Sequence, residues 1–360
     1  MPIGFKILPD KISRVVESLS QKIEFERVIE KGGNGYVVIG TNRQLNRRIV
    51  VKFYYWGDGV HAEPRILAEL ASPNILDIHD AAPIDDDDAY FITPFCESGD
   101  LDDVLATGSV GVRRAVDMLL QVASGVSYIH GKGFVHRDLK PSNVFQQDPD
   151  RLVIGDFGSV VKKGAGGFAE TRSRHSLLYR TPEEIVANRA YEQSDIYQLG
   201  ILLYQILGGA LPYDLMDWLN GQERACYSKL PHPDNEIYAS KCFEERLILK
   251  GKLLAYDSLP EWCPDDLKKV IRVCCNISYE KRYESASALI GVLNNMRASL
   301  PDWRCEPTAV LHRRNAKFRI VGGPGKYTIE KMVNHGVGWR KVHAVKPTTL
   351  REAVKEAEKL

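Results

Sequence analysis

A loop of charged and amide side chains between two apolar ends limits what this 360-residue chain can fold into. Residues 134–145 read FVHRDLKPSNVF, and Asp138, Lys140 and Asn143 follow one another closely within them. A solvated loop does not need apolar flanks, and a packed element does not tolerate so many polar groups without partners, because burying an unpaired polar group costs free energy. The stretch therefore predicts a buried site where these three side chains face something other than bulk water.

The composition is typical of a soluble globular chain. Hydrophobic residues make up 44% and charged residues 26%, and the net charge of +1 gives no indication of nucleic-acid or membrane binding. The seven cysteines form no C-x-x-C pair, so we expect free thiols in a reducing compartment. The N-terminus has no basic region followed by an apolar run, which argues against a signal peptide. We predict a cytoplasmic protein that does not enter a membrane.

The spacing of apolar residues changes along the chain and predicts its organisation. Short alternating runs joined by Gly-rich and acidic turns indicate strands up to residue 96, and the acidic turn at 85–88 is expected to be solvated. After Gly99, apolar residues three and four apart indicate helices as far as Leu300. We predict an α+β fold with a leader at 1–20, a β-rich part at 21–96, a helical part at 97–300 and a basic module at 301–360.

The polar loop carries the groups that phosphoryl transfer needs. That reaction requires a residue to orient the attacking hydroxyl, oxygen ligands for a metal ion, and cations near the phosphates. Asp138 can orient the hydroxyl, and Asn143 with a second carboxylate can bind Mg²⁺. The sequence VIGDFG places Asp156 thirteen residues after Asn143. A short hairpin between them could return this carboxylate to the site.

HRDLKPSN followed by DFG resembles the eukaryotic-type (Hanks-type) serine/threonine protein kinase family. The resemblance runs from about Phe25 to Leu300, with further motifs in the family's order. It implies a bilobal protein-kinase-like fold that binds ATP between its lobes together with Mg²⁺, or Mn²⁺ as an alternative. It also implies that Asp138 takes the proton of the substrate hydroxyl, and that Asn143 and Asp156 hold the metal.

The same resemblance implies the nucleotide-binding residues. IEKGGNGYVV is similar to the family's Gly-rich phosphate loop, with Glu30 in place of its first glycine. The implied contacts are Gly32, Gly33, Asn34, Gly35 and Val37 in this loop, Val50 and Lys52 on the next strand, Thr93, Pro94 and Cys96 in the hinge, and Phe145 and Asp156. Val50 and Phe145 are larger than the family's usual alanine and leucine. Either the pocket repacks around them or the nucleotide preference changes.

Lys52 in IVVKFY resembles the lysine that contacts the α- and β-phosphates. Glu63 is its implied ion-pair partner, and Glu69 is the competing choice. Pro64 follows Glu63 directly and is unexpected inside a helix, because proline lacks an N–H and clashes with the preceding turn. We therefore expect the helix that carries Glu63 to begin or kink there.

Two features favour Ser/Thr hydroxyls of protein substrates over tyrosine. Lys140, two residues after Asp138, and Ser176 stand where the family's Ser/Thr members keep a lysine and a hydroxyl. The resemblance also implies structural roles. Phe157 and Gly158 are expected to complete the DFG motif, and Asp195 to hold the backbone of His136 and Arg137. Glu183 of the Thr-Pro-Glu segment is expected to pair with Arg282.

The activation loop offers a regulatory site. Arg137 precedes the catalytic aspartate, and in the family such an arginine often binds a phosphate in that loop. Thr171, Ser173 and Ser176 are the available hydroxyls, and we predict autophosphorylation at Thr171 or Ser173. The alternative is a loop held by its own Lys and Arg charges.

The C-terminal module contains thirteen Lys/Arg and six Asp/Glu residues, a net charge of +7. Three apolar runs followed by TTLREAVKEAEKL predict a β-β-β-α unit whose helix is capped by Thr348 or Thr349. We predict an acidic protein partner or packing against the protein itself, and consider nucleic acid less favoured, because the aromatic residues among the basic ones serve equally well as a small core.

There are two alternatives to an active protein kinase. One is a pseudokinase scaffold that binds partners through the C-terminal module, against which the intact Lys52, Asp138, Asn143 and Asp156 argue. The other is a small-molecule kinase. Residues 213–262 form an insertion that is either an ordinary one or a substrate-docking surface.

Overall fold

The computed structural model describes residues 8–30, 35–55, 70–108, 110–171, 176–305, 308–334, 336, 338–343 and 346–360, without the side chain of Glu30. Its contacts divide the chain into two compact units. The first unit consists of Met1–Leu101, Gln121–Ser176 and Ala187–Asp195. The second consists of Asp102–Leu120, Leu177–Val186 and Ile196–Leu360.

The first unit contains an antiparallel sheet with the strand order β1-β2-β3-β5-β4. Its strands are β1 (Ile23–Glu30), β2 (Tyr36–Asn42), β3 (Arg47–Tyr55), β4 (Asp80–Pro83) and β5 (Asp88–Pro94). Successive side chains of a strand point to opposite faces. In β3, the buried Val51 and Phe53 therefore lie on one face and Val50 and Lys52 on the other. The helix expected to carry Glu63 lies outside the described residues.

Helix α1 (Asp10–Leu19) covers the apolar face of this sheet. Ile12 and Val16 are four residues apart, so they lie on the same side of the helix, and both are buried in one cluster with Val51 and Phe53. On its other side Lys11 forms ion pairs with Asp85, at 3.3 Å, and with Asp88. Part of the segment expected as a leader thus supplies core residues, and the acidic turn has a basic partner.

Short strands and turns follow the sheet in the first unit. Their bounds are β6 (Phe134–Val135), β7 (Val144–Asp148), β8 (Arg151–Ile154), β9 (Val161–Lys162), β10 (Ala169–Glu170), β11 (Arg189–Ala190) and the 3₁₀ turns Pro141–Asn143 and Phe157–Ser159. Strand β6 pairs with β9, β7 with β8, and β10 with β11. These pairs position the loops described below.

The second unit is mainly helical. Its helices are α2 (Leu101–Ala106), α4 (Pro182–Ala187), α6 (Gly221–Tyr227), α7 (Asp234–Phe243), α8 (Asp265–Cys274) and α9 (Ala286–Arg297), and it shares α3 (Val112–Gly131) and α5 (Glu192–Ile206) with the first unit. Helix α5 is buried along most of its length, as expected for a helix in the core. Within the described ranges, we find no helix that combines the length and the hydropathy needed to cross a bilayer.

The chain ends in a second antiparallel sheet and a helix. The strands, paired in chain order, are β12 (Asp302–Cys305), β13 (Ala309–His312), β14 (Ala316–Gly323), β15 (Lys326–Val333) and β16 (Arg340–Lys341), and the helix is α10 (Leu350–Lys359). The expected strands and helix are present, and Thr349 caps the helix through the N–H of Glu352. The four-residue strands β12 and β13 were not predicted, because strands so short form through pairing with their neighbours more than through a sequence pattern.

Trp303 joins this sheet to the helical part of the second unit. Its side chain is fully buried, its Nε1–H donates to Glu358 at 2.8 Å, and its ring lies 6.4 Å from that of Trp262. A Cβ on Gly111 would lie only 2.5 Å from the carbonyl oxygen of Trp303, so the two backbones are in close contact. Residues 301–360 therefore share a core with the helices of this unit.

Replacing Trp303 with alanine should lower the free energy of unfolding by about 3–5 kcal/mol, since a large buried ring is lost and a cavity remains. Urea denaturation followed by far-UV circular dichroism measures this loss. The matched control is Trp339→Ala, because Trp339 is only partly buried and stacks on Arg319. Equal losses in the two variants would contradict a core role for Trp303.

Candidate active site

Two nested hairpins bring the polar loop and the DFG motif side by side. Because β6 pairs with β9 and β7 with β8, residues 136–143 and 155–160 both connect one strand pair to the other. The two connections are hydrogen-bonded, since the N–H of Gly155 donates to the carbonyl oxygen of Asn143 at 2.9 Å. Asp156 follows Gly155 directly, so this pairing brings its backbone next to Asn143.

A network of hydrogen bonds orders the polar side chains of the 136–143 loop. The Oδ2 atom of Asp138 accepts from Lys140 Nζ at 2.7 Å and from Asn143 Nδ2 at 3.0 Å. Asn143 Nδ2 also donates to the carbonyl oxygen of Asp138 at 2.6 Å. Lys140 Nζ donates in addition to Ser176 Oγ at 3.0 Å. Four residues named from the sequence therefore lie in a single network.

The same side chains present two unused oxygens. The Oδ1 atoms of Asp138 and Asn143 are buried and have no hydrogen-bond partner among the described residues. Both residues are only 1% exposed, so bulk water does not satisfy these atoms. A buried acceptor without a donor costs about 1–3 kcal/mol. A bound hydroxyl or cation would remove that cost, so these oxygens fit a substrate hydroxyl and an oxygen-preferring metal ion.

Asp156 has an uncommon backbone conformation at the start of the DFG turn. Its φ of 57° lies in the left-handed region, which is unfavourable for residues other than glycine. Its Oδ1 atom forms an ion pair with the ammonium group of Lys52, which lies on strand β3. Gly158 lies close to both, since a Cβ there would be 3.5 Å from Asp156 Oδ1 and 3.8 Å from Lys52 Nζ. The turn thus aims this carboxylate at the lysine of β3.

Phe157 and His136 form the packed floor of the site. Phe157 is fully buried, with its ring 6.2 Å from that of His136 and 6.3 Å from that of Phe91. The Nδ1 atom of His136 is 3.4 Å from the N–H of Asp138, and Nε2 is 3.2 Å from the Gly155 oxygen. Burial lowers the pKa of His136, which keeps the ring neutral. A neutral ring with hydrogen on Nε2 satisfies both bonds.

Asp195, at the start of α5, holds the backbone of the 136–143 loop. Its carboxylate accepts from the N–H groups of His136 and Arg137, both at 2.8 Å, and from His130 Nε2 at 2.7 Å. Burial by itself would raise the pKa of Asp195, but the hydrogen bonds from His130 and from the N–H of His136 help to outweigh it, and that pKa is lowered. Asp195 therefore stays ionised. The sequence analysis did not identify His130, because nothing distinguishes it from the other polar residues of α3.

Several expected nucleotide contacts lie on the sheet of the first unit. Val50 and Lys52 share a face of β3; Val50 is paired with Thr93, and Lys52 with Val37. A Cβ on Gly35, whose φ is 103°, would collide with the carbonyl oxygen of Phe53, so only glycine fits there.

The remaining described positions lie in the hinge and beside the DFG motif. Pro94 ends β5, and burial raises the pKa of the Cys96 thiol to about 11. The carbonyl oxygen of Cys96, one of the implied hinge contacts, accepts a turn hydrogen bond from the N–H of Gly99 at 3.2 Å. Phe145 packs on Gly155, where a Cβ would meet its ring at 2.6 Å. Gly32, Gly33, Asn34, Glu63 and Ser173 lie outside the described residues.

The residues predicted to have structural or regulatory roles lie in both units. In the first, Arg137 is fully buried with a left-handed φ of 73°, and Thr171 is only 6% exposed beside β10. The N–H of Thr171 donates to the carbonyl oxygen of Asn188 at 2.8 Å. In the second, Glu183 forms a two-pronged buried ion pair with Arg282, both bonds at 2.8 Å.

Comparison with known proteins agrees with this geometry. Residues 23–291 match the family model described as protein kinase domain. The interferon-induced, double-stranded RNA-activated protein kinase of Mus musculus is 30% identical over 57% of this chain and 44% of its own length. Serine/threonine-protein kinase pkn2 of Myxococcus xanthus is 31% identical over 52% of this chain and 24% of its own length.

Serine/threonine-protein kinase PrkC of Bacillus subtilis is 29% identical over 54% of this chain and 32% of its own length. The chain thus spans less than half the length of each of these three relatives. The family match, in contrast, extends over more than half of the chain and contains both nested loops and the sheet that carries Lys52. This chain belongs to the protein kinase family, of the Hanks serine/threonine type.

Proposed function

We propose that this protein transfers the γ-phosphoryl group of ATP to serine or threonine hydroxyls of protein substrates. The observation that carries the proposal is the pair of buried, unpartnered oxygens on Asp138 and Asn143. They lie in a network already ordered by Lys140 and Ser176. A scaffold that only binds partners gains nothing from keeping two such acceptors unsatisfied, because each lowers stability.

Asp138 is the residue that meets the substrate hydroxyl in this mechanism. Its Oδ1 atom accepts the hydroxyl hydrogen bond and receives the proton, while Oδ2 stays bonded to Lys140 and Asn143. The hydroxyl oxygen bonds to the γ-phosphorus as the bond to the β,γ-bridging oxygen breaks, and ADP leaves. Lys140 remains beside the reacting group. Its positive charge there neutralises negative charge on the phosphoryl oxygens.

Asn143 and Asp156 are the residues that would hold Mg²⁺, or Mn²⁺ as the alternative, since both prefer oxygen ligands. When bound, the cation neutralises charge on the phosphates of ATP. Lys52 carries a further positive charge toward the nucleotide. Its ion pair with Asp156 keeps both side chains extended into the site.

Serine and threonine substrates are favoured by the bond between Lys140 and Ser176. This bond ties the residue that flanks the catalytic carboxylate to the end of the activation loop.

Replacing Asp138 with asparagine should lower kcat about 10²–10⁴-fold, because the proton acceptor is lost while the shape is kept. The assay uses labelled ATP, Mg²⁺ and generic protein substrates. Asp148→Asn, an exposed aspartate in the β7–β8 turn, is the matched control and should retain wild-type activity. Equal labelling by the wild type and Asp138→Asn would instead support the pseudokinase scaffold.

Replacing Asn143 with alanine should raise the Mg²⁺ concentration needed for half-maximal activity at least about tenfold, because one metal ligand and one bond to Asp138 disappear. A Mg²⁺ titration at saturating ATP measures the change. Asn295→Ala, at an exposed position of α9, is the control. An unchanged Mg²⁺ requirement in Asn143→Ala would remove this residue from the metal site.

Autophosphorylation at Thr171 or Ser173 is part of the proposal, with Arg137 as the phosphate partner. Because Thr171 is buried beside the β10–β11 pair, its modification requires that pair to open. Mass spectrometry after incubation with ATP should find phosphate at one of these residues in the wild type and none in Asp138→Asn. An unmodified activation loop in active wild-type protein would leave the loop held by its own charges.

The cellular setting is also proposed. The seven free cysteines favour a reducing compartment, hence the cytoplasm. The net charge of +7 over residues 301–360 favours an acidic protein as the partner of this module.

A further inference from the structure

Hydrogen bonds anchor the segment that follows Ser176, residues 177–181, within the second unit. The hydroxyl of Tyr179 donates to Gln205 at 2.9 Å, and Gln198 donates to the carbonyl oxygen of Tyr179 at 3.0 Å. On the other side, the Thr181 hydroxyl donates to Glu184 at 3.1 Å. These bonds fix the backbone on both sides of Arg180.

Arg180 itself extends away from these anchors to the 213–262 insertion. Its guanidinium forms an ion pair with Glu244, and the two side chains are only 10% and 11% exposed. Removing two charges from water costs several kcal/mol, so a pair this deeply buried contributes little net stability compared with apolar side chains of the same size. Fold stability alone therefore does not explain the pair.

Glu244 lies at a distinctive point of the insertion. Helix α7 ends at Phe243 and continues as a single π-helical turn, Glu244–Ile248. Such turns are rare and frequently occur at functional sites. The turn is anchored on both sides, because Arg246 bonds Glu223 at 2.9 Å and the Phe243 ring meets Trp218 edge-on at 5.3 Å. Glu244 therefore lies on a turn whose position is fixed by contacts of the neighbouring residues Phe243 and Arg246.

The 177–181 segment is continuous with the catalytic network through the chain itself. Ser176 accepts from Lys140, and Leu177 is the next residue. We take this continuity to mean that the residues flanking a phosphorylated serine or threonine contact the 177–181 segment, because Ser176 bonds the lysine beside Asp138. A displacement of Arg180 then alters the surface that the peptide meets, while the groups proposed to hold ATP, on β3 and the DFG turn, stay in place.

We infer that Glu244 is a positioning residue that, through Arg180, sets the affinity for the protein substrate. On this inference the 213–262 insertion stabilises the position of the 177–181 segment. It is neither an ordinary surface insertion nor a separate docking site. This inference rests on the proposed kinase function and deepens it. Its signature is a change in the KM for the peptide that is separate from the KM for ATP.

The test measures steady-state kinetics of Glu244→Gln with a Ser/Thr peptide that the wild type phosphorylates. The KM for the peptide should rise about tenfold, with the KM for ATP within twofold of wild type, because only the peptide surface is displaced. Glu245→Gln is the matched control, since the adjacent Glu245 forms only an exposed pair with Lys241. It should leave both constants unchanged.

A peptide KM within twofold of wild type in Glu244→Gln, or an equal rise for ATP, overturns the inference. If Glu244→Gln fails to fold, the charge-reversed double variant Arg180→Glu with Glu244→Arg decides the matter. A folded double variant with a peptide KM near the wild-type value supports the inference, and one with a raised peptide KM overturns it. Absence of phosphorylation by the wild type sinks the proposed function itself, and the inference with it.

Discussion

The buried carboxylate of Asp195 is the interaction on which the rest of the site depends. It accepts the N–H groups of His136 and Arg137 and a hydrogen bond from His130, so three donors converge on one fully buried anion. Those bonds let Arg137 keep a left-handed backbone, a conformation that is strained for a residue with a side chain. The turn that follows presents Asp138. Without this carboxylate, the N–H groups of His136 and Arg137 would lack acceptors, and the loop would lose the bonds that stabilise its conformation.

Around this anchor, the strand pairs β6–β9 and β7–β8 place two loops side by side. The second strained residue, Asp156, lies in the other loop and meets Lys52 of the sheet. Strain at both positions is stabilised by packing, since the intervening Phe157 and His136 rings are completely buried. The polar groups of the two loops are therefore ordered by the fold itself, as electrostatic preorganisation requires.

Both ends of the chain supply buried side chains to the cores of the two units. Helix α1 covers one face of the first sheet with Ile12 and Val16, and Trp303 connects the terminal sheet to the helices of the second unit. The insertion behaves similarly, because its buried Glu244 reaches Arg180. In each case a few apolar or paired side chains join the segment to the rest of its unit.

The sequence by itself determined the family, the β-then-α order of the fold and the identity of the polar loop, and the family prediction is confirmed by the match over residues 23–291. These features could be predicted because the reaction restricts which residue types can occur at fixed short spacings, as in HRDLKPSN. Only the tertiary structure decided that His130 shares the Asp195 anion, that β12 and β13 are strands, and that Arg180 meets Glu244. Those contacts join residues tens of positions apart or depend on pairing, and no local pattern of apolar or charged residues encodes the partner of a buried charge.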